Sequence, residues 1–231
     1  MKRGPFPPEP PTSLTDAGAI RSNDWSAFSG LTHMEDHFTV KPWPDGFSAY
    51  YWYLTFEDAE LVSLAQHCQK SLSSYGLHPV PLSSLHMTLC RVGAADTISD
   101  TAIAVVASSA VEALDRIDSF EIEVGPLAGS SGAIRFSVTP WSSIWQLTTI
   151  LRSQSENVAA SPASKPLSHF RPHVGIAYSN RRQEIAPIIE RVSQLRNMVP
   201  VPVTVKQVKL VRLWRSQYSY QWDDIATIAL R

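Results

Sequence analysis

The spacing of hydrophobic residues along the chain predicts strands and helices in alternation. Apolar and aromatic runs, and runs in which apolar and polar residues alternate, are typical of strands. They predict strands at residues 50–56, 85–92, 120–124, 133–138, 173–178, 201–205, 208–214 and 225–230. Apolar residues at helical spacing predict helices at about 58–75, 96–117, 142–158 and 181–196.

Glycines and capping residues indicate where these elements begin and end. Gly93 is predicted to end the strand at 85–92, and Ser179-Asn180 is predicted to cap the helix that follows. Residues 129–132 predict the turn of a hairpin, and residues 215–224 predict a polar and aromatic connection between the last two strands. In the helix at 96–117, Val111 is predicted to lie on the buried side.

The order of the elements repeats in the two halves of the chain. Each of the strands at 85–92 and 173–178 is preceded by one helix and followed by another. This repetition predicts an α+β fold with two pseudo-symmetric sheet-and-helix lobes and a central cleft. We assign the bilobal domain to residues 47–231.

Residues 1–46 are predicted to be an extension of that domain. Prolines crowd its first dozen positions and favour an extended chain, whereas the aromatic stretch 25–31 is too apolar to stay in water. We therefore expect the extension to be partly docked. His33 and His37 would share one face of a helix, but the spacing is not that of the helical zinc-protease motif, so we expect a polar surface segment.

Charge and composition limit the partners. A net charge of −1 gives no overall attraction for duplex DNA or an anionic membrane, so a phosphate must be bound locally, which favours an RNA end or a small nucleotide. Cys68 and Cys90 have neither a disulfide framework nor metal-ligand spacing. The first residues lack the apolar region of a signal peptide, and no apolar run reaches the length of a membrane span. We expect a cytoplasmic monomer.

Two short segments on predicted strands carry the candidate chemistry. They are His86-Met87-Thr88-Leu89 and, 87 positions later, His173-Val174-Gly175-Ile176. Side chains two positions apart on a strand project from the same face, so His86 points with Thr88 and His173 with Gly175. Facing strands would bring two imidazoles and a hydroxyl around one point, which suits acid–base chemistry on a phosphate.

These segments, in this order of strands and helices, resemble the paired H-x-(T/S) motifs of the two-histidine (2H) phosphoesterases. That superfamily includes the LigT-like bacterial RNA 2′,3′-cyclic phosphodiesterases, described as 2′-5′ RNA ligases, and exonucleases that trim small nuclear RNA. The resemblance covers about residues 50–231. It implies an enzyme that hydrolyses a 2′,3′-cyclic phosphate or a 2′-5′ phosphodiester of RNA or a small nucleotide, and that can run in reverse as a ligase.

The resemblance also implies roles for the matching residues. His86 and His173 would be the acid–base pair, because imidazoles with pKa values near 6.5 can both accept and donate protons at neutral pH. Thr88 would donate a hydrogen bond to a non-bridging phosphate oxygen. No metal and no cofactor are implied. Which histidine is the acid and which is the base stays open.

The second motif departs from the family at Gly175, where Thr or Ser is expected. By analogy with the loss of an oxyanion-hole donor, the missing hydroxyl would cost on the order of a hundredfold in rate. Gly175 still offers a backbone N–H and close approach, so it remains a substrate-binding candidate. The alternative is a binding module of the same fold that holds a nucleotide or RNA end with little turnover.

Aromatic rings and a guanidinium group near the motifs are candidates for the rest of the substrate site. Unpaired bases stack on such planes, which selects Tyr53, Tyr178 and Trp214. Arg171 shares the strand parity of His173 and is the preferred cation for the phosphate. A further alternative is an unrelated hydrolase that would use His33 and His37 with a metal.

Overall fold

The computed structural model describes residues 7–156 and 167–231. Its helices are α1 (Ala17–Ser29), α2 (Ala59–Ser71), α3 (Asp100–Leu114), α4 (Ser142–Glu156) and α5 (Ala186–Leu195). Its strands are β1 (His33–Met34), β2 (Ser48–Thr55), β3 (Leu77–Pro79), β4 (His86–Ala94), β5 (Phe120–Ser130), β6 (Ala133–Thr139), β7 (His173–Ser179), β8 (Gln183–Glu184), β9 (Val201–Val205), β10 (Gln207–Ser216) and β11 (Ser219–Ala229). Within these ranges no helix is both long and apolar enough to cross a membrane.

Two antiparallel sheets form the two lobes. The first sheet has the strand order β11-β10-β2-β4, and the second has the order β3-β7-β6-β5-β9. The sheets approach each other where β4 meets β7, and these are the strands that carry the two histidine motifs. The predicted α+β class with two sheet-and-helix lobes is confirmed.

The alternation of side chains along β2 shows how the first sheet separates its core from its cleft face. Tyr50, Trp52 and Leu54 join the main hydrophobic core, whereas Tyr51 and Tyr53 belong to a second, smaller cluster on the opposite face. Helices α3 and α4 pack against this sheet, and α2 and α5 pack against the second. The faces left uncovered by these four helices are those that carry the motif side chains.

Helix α1 covers part of the cleft face of the second sheet. It contacts β5 and β6, and its Asp24 carboxylate lies 2.9 Å from the Arg135 guanidinium and accepts a 2.7 Å hydrogen bond from Ser137. In the β6–β7 register Ser137 is opposite His173, so these side chains share one face of the sheet. Asp24 and Arg135 are fully buried, which makes α1 an integral part of this lobe.

The sequence pattern did not predict α1. The helix begins at Asp16, whose carboxylate accepts a 2.7 Å hydrogen bond from the Ala19 amide. Its buried stripe is Ile20, Asp24 and Phe28, with a charged residue in the middle. Because that carboxylate is buried only by pairing with Arg135, which lies more than a hundred positions away, the stripe does not look apolar in the sequence.

Two further boundaries and the exposure of one side chain differ from the prediction. Strand β4 does not end at Gly93; it runs to Ala94, and the Ile98 side chain packs against Gly93, where an added Cβ would displace its Cδ1 atom. Ser179 stays in β7 and does not cap a helix, since residues 183–184 pair with β1 and α5 begins only at Ala186. Val111 is exposed and does not face the core.

The predicted connection at 215–224 was also wrong. Most of this segment belongs to strands β10 and β11, which pair with each other and are joined by a tight turn at Gln217 and Tyr218. Gln217 has a φ of 51°. The expected turn at 129–132 is shorter too, because Gly129 and Ser130 belong to β5. The predicted end of the α4 helix at 158, and most of the loop after it, lie outside the described residues.

Candidate active site

His86 and His173 are each held by a hydrogen bond from Nδ1 to a backbone oxygen two residues earlier in the chain. His86 Nδ1 lies 2.8 Å from the backbone oxygen of Ser84, and His173 Nδ1 lies 2.6 Å from that of Arg171. A carbonyl oxygen can only accept, so each Nδ1 carries the proton and donates it. In the neutral tautomer this places the basic lone pair on Nε2 of both rings.

The protein keeps both imidazoles neutral at pH 7. Burial, the guanidinium of Arg135, the ammonium of Lys41 and the His86 ring lower the pKa of His173 to about 3, against the opposing effect of its hydrogen bond to the Arg171 carbonyl. Burial also lowers the pKa of His86. The influence of His86 on His173 shows that the two rings are close enough to interact electrostatically.

Aromatic side chains fix the His86 ring. The Tyr53 ring stacks on it with centroids 4.6 Å apart and planes 7° from parallel, and Trp222 meets it edge-on at 5.3 Å. Tyr53 is therefore beside the candidate site, but one of its faces is occupied by the histidine, and its role as a base-stacking residue stays a prediction. Trp222 was missed because it falls in the segment that was predicted to be a connection.

Thr88 lies on the cleft face of β4, as the strand parity predicted. It is opposite Tyr53 in the β2–β4 register, and its hydroxyl partly offsets the effect of burial on the pKa of Tyr53. Burial raises the pKa of Tyr53 well above its usual value, so the phenol keeps its proton. Thr88 thus lies beside Tyr53, two residues from His86 on the same strand face.

Gly175 lies opposite Arg135 and has room for a side chain. An added Cβ would meet only the Tyr178 hydroxyl oxygen, at the ordinary contact distance of 3.8 Å. The register of β6 and β7 shifts between Ile134 and Arg135, and this bulge turns Tyr178 to the same side as Gly175. Burial raises the pKa of Tyr178, so its hydroxyl remains a donor.

Two of the predicted substrate-binding residues have other surroundings. Arg171 is 2% exposed, and its guanidinium donates to the backbone oxygens of Ser168, Phe170 and Pro7. These contacts leave Arg171 to shape the backbone that holds His173, and we omit it from the phosphate-binding group. Trp214 lies between Leu213 and Arg215 on β10 and lines a separate surface pocket with Arg212.

The N-terminal segment supplies part of the cleft that sequence reasoning did not find. The ring centroids of His37 and Tyr178 are 4.3 Å apart, and His37 Nε2 is hydrogen-bonded to the Tyr220 hydroxyl at 3.0 Å. Phe38 packs against both tyrosines. The available signal was the aromatic content of residues 38–47, which is high for a solvated extension.

The hypothesis that His33 and His37 bind a metal assumed that both lie on one face of a helix, and the structure does not have this arrangement. These residues are not on one helix, since His33 begins the short strand β1 and His37 is buried beside Tyr220. Among residues 7–156 and 167–231, no group of three or more His, Cys, Asp or Glu side chains is arranged to hold a metal ion.

Comparisons with known proteins identify the family. A family model described as the 2′-5′ RNA ligase superfamily matches residues 57–217. The structure is similar to LigT of E. coli in its apo form, with a TM-score of 0.58 and 16% identity over 80% of this chain and 98% of LigT. It is also similar to TT0787 of Thermus thermophilus, with a TM-score of 0.60 and 15% identity over 79% of this chain and 98% of that one.

A third structure, described only as a phosphoesterase, gives a TM-score of 0.60 and 17% identity over 80% of this chain and 98% of that one. A comparison with curated proteins gives no match. At these identities the structures show a shared fold, while the family model spans more than half of the chain and both histidine motifs. The chain therefore belongs to the 2′-5′ RNA ligase superfamily of two-histidine phosphoesterases.

Proposed function

We propose that the protein hydrolyses a 2′,3′-cyclic phosphate or a 2′-5′ phosphodiester, at an RNA end or in a small nucleotide, with His86 and His173 as the acid–base pair. The observation that carries this proposal is the shared orientation of the two rings. Each donates Nδ1–H to a backbone oxygen two residues earlier, which makes Nε2 the basic nitrogen of both. Crystal structures of E. coli LigT with 3′-AMP and with phosphate are consistent with a nucleotide phosphate in a site of this fold.

The chemistry follows from the two lone pairs. One Nε2 takes a proton from a water molecule as its oxygen attacks phosphorus, and the other imidazole, protonated, gives its proton to the departing ribose oxygen. Because both rings are neutral in the free protein, the acid must gain its proton together with the substrate. The negative phosphate raises the pKa of a nearby imidazole and so offsets the effect of burial. The reverse sequence would join a 2′-hydroxyl to a cyclic phosphate.

Hydrogen-bond donors around the phosphate complete the proposed site. Thr88 would donate from the His86 side, and the backbone N–H of Gly175 or the Tyr178 hydroxyl would donate from the His173 side. Tyr178 lies where it could serve in place of the hydroxyl that Gly175 lacks. Action as a monomer in the cytoplasm stays a prediction from the sequence.

The test is turnover of nucleoside 2′,3′-cyclic phosphates and of 2′-5′-linked dinucleotides. His86→Ala and His173→Ala should each lower kcat by at least about a hundredfold, as expected for loss of a general acid or base. His67→Ala is the matched control, because His67 is exposed on α2. Equal turnover in the wild type and both active-site variants would refute the proposal.

The departure at Gly175 favours a second candidate, a module that binds a nucleotide or RNA end and turns it over poorly. Calorimetry with a cyclic nucleotide separates the two functions. Tight binding without product supports the binding module, and product formation that depends on both histidines supports the enzyme.

A further inference from the structure

A pocket of about 680 Å³ lies between the N-terminal segment and strand β10. Its volume falls in the range of sites that hold small molecules and nucleotides. The residues that line it come from two separated stretches of chain: Phe38, Pro42, Trp43, Pro44, Asp45, Gly46, Phe47 and Ser48 on one side, and Arg212, Trp214, Arg215, Gln217 and Asp223 on the other. The N-terminal side of this pocket precedes residue 57, where the match to the family model begins.

Trp43 lines this pocket together with Arg215, whose guanidinium packs against its ring. The guanidinium carbon of Arg215 lies 4.7 Å from the Trp43 ring centroid, and 5.1 Å and 5.3 Å from those of Phe38 and Tyr220. Arg215 Nη2 also donates a 3.1 Å hydrogen bond to the Tyr220 hydroxyl. A cation packed among rings in this way fixes their orientation. These contacts therefore hold the Trp43 ring in one orientation in the wall of the pocket.

The residues that line the pocket suit a nucleobase better than a phosphate. It offers aromatic and guanidinium planes, on which unpaired bases stack. Its cations, Arg212 and Arg215, are accompanied by the carboxylates of Asp45 and Asp223, so the local charge is mixed. Mixed donors and acceptors beside flat surfaces match the edges and faces of a nucleobase.

Aromatic contacts connect this pocket with the surroundings of His86. Trp43 contacts the Tyr220 ring at 5.9 Å, and Tyr220 lines the small pocket that contains His86 and Tyr178. Trp43 also packs against the cluster that includes Tyr53, which stacks on His86. The rings of Tyr220 and Tyr53 therefore link the Trp43 pocket to the proposed phosphate site.

We propose that the Trp43 pocket holds the base of the nucleotide that precedes the one bearing the scissile phosphate. The substrate is then an RNA end with at least one further nucleotide, and a mononucleotide cyclic phosphate fills only part of the site. This inference rests on the proposed function, because it takes the phosphate to lie between His86 and His173. Trp43 is a specificity-determining residue in this arrangement and takes no part in proton transfer.

The test compares two substrates, a nucleoside 2′,3′-cyclic phosphate and an RNA dinucleotide that ends in the same group. Trp43→Ala should raise the ratio of KM for the dinucleotide to KM for the mononucleotide by about tenfold, as expected for loss of one base–aromatic stack. Trp43→Phe, which keeps a ring, should retain most of the preference. A ratio unchanged by Trp43→Ala, including an equal loss on both substrates, overturns the proposal.

Trp25→Ala is the matched control. Trp25 also lies in the N-terminal segment, is also half-buried, and also has an arginine over its ring, since Arg196 lies 4.4 Å from its centroid. It packs against Phe28 of α1 and lines none of the pockets near the histidines. The KM ratio should not change in this variant.

Failure of the proposed function gives a different result. If the wild type turns over neither substrate, the hydrolytic function is wrong, and the Trp43 pocket is then tested by binding alone. The probe is a fluorescently labelled short RNA with a 3′-phosphate. Binding that weakens about tenfold in Trp43→Ala and is unchanged in Trp25→Ala supports the pocket, and equal binding to all three proteins overturns it.

Discussion

Replacing Gly175 tests how much the missing hydroxyl costs this protein. Gly175→Thr restores the residue type of the family motif, and Gly175→Val has the same shape without the hydroxyl. Both fit, because an added Cβ meets only the Tyr178 hydroxyl at 3.8 Å and the backbone of Gly175 is not in the left-handed region. Both are β-branched residues on strand β7, where such side chains are favoured.

The size of the effect follows from the hydrogen bond that threonine would add. A hydrogen bond to a charged group contributes about 1.5–3 kcal/mol, and about 1.4 kcal/mol corresponds to a factor of ten in rate. Gly175→Thr should therefore raise kcat by roughly tenfold to a hundredfold over Gly175→Val. Both variants should unfold at higher denaturant than the wild type, since a glycine within a strand costs roughly 0.5–1 kcal/mol.

The assay is steady-state hydrolysis of a nucleoside 2′,3′-cyclic phosphate, together with urea unfolding of the three proteins. Comparison of threonine with valine removes the effects of volume and backbone stiffness, so the difference belongs to the hydroxyl. Equal kcat in the two variants, both correctly folded, would show that no phosphate oxygen lies within reach of position 175. That result would refute the placement of the phosphate beside His173.

Three further predictions concern the surroundings of the site. Tyr178→Phe should lower kcat about tenfold when residue 175 is glycine. The loss should be smaller in Gly175→Thr, because the threonine hydroxyl would replace that of Tyr178. An equal loss in both backgrounds would show that the two hydroxyls do not replace each other. Asp24→Asn should lower the free energy of unfolding by about 3–5 kcal/mol because it leaves the buried Arg135 charge uncompensated, whereas Asp118→Asn, in an exposed ion pair with Arg231, should have little effect in the same urea titration. His37 should contribute about 2 kcal/mol to a fall in the free energy of unfolding between pH 7 and pH 5. Its pKa in the folded protein is about 3, so at pH 5 it binds a proton only in the unfolded chain, where its pKa is near 6.5. His37→Asn should reduce that fall by the same amount, and a flat profile in the wild type would contradict the lowered pKa.

The geometry of the site depends on the local alternation of side chains along each strand and on pairing between strands that are far apart in the chain. The positions of His86 and Thr88 on one strand face follow from a period of two, which the sequence displays directly. The pairing of β4 with β2, and the approach of β4 to β7, follow from contacts between residues far apart in the chain. Parity places Thr88 on the same strand face as His86, whereas Arg171 precedes β7 and its guanidinium turns toward backbone oxygens.

The sequence by itself determined the two motifs, the repeated order of strands and helices, the α+β class and the family, because these depend on local periodicity and residue type. Only the tertiary structure decided the course of the N-terminal segment, which carries α1 over the second sheet and brings His37 and Trp43 beside the cleft. Its stabilising partners, Arg135 for Asp24 and Tyr220 for His37, are more than a hundred positions away. The burial of a charged helix residue becomes favourable only when its partner is buried with it, and no local pattern records that pairing.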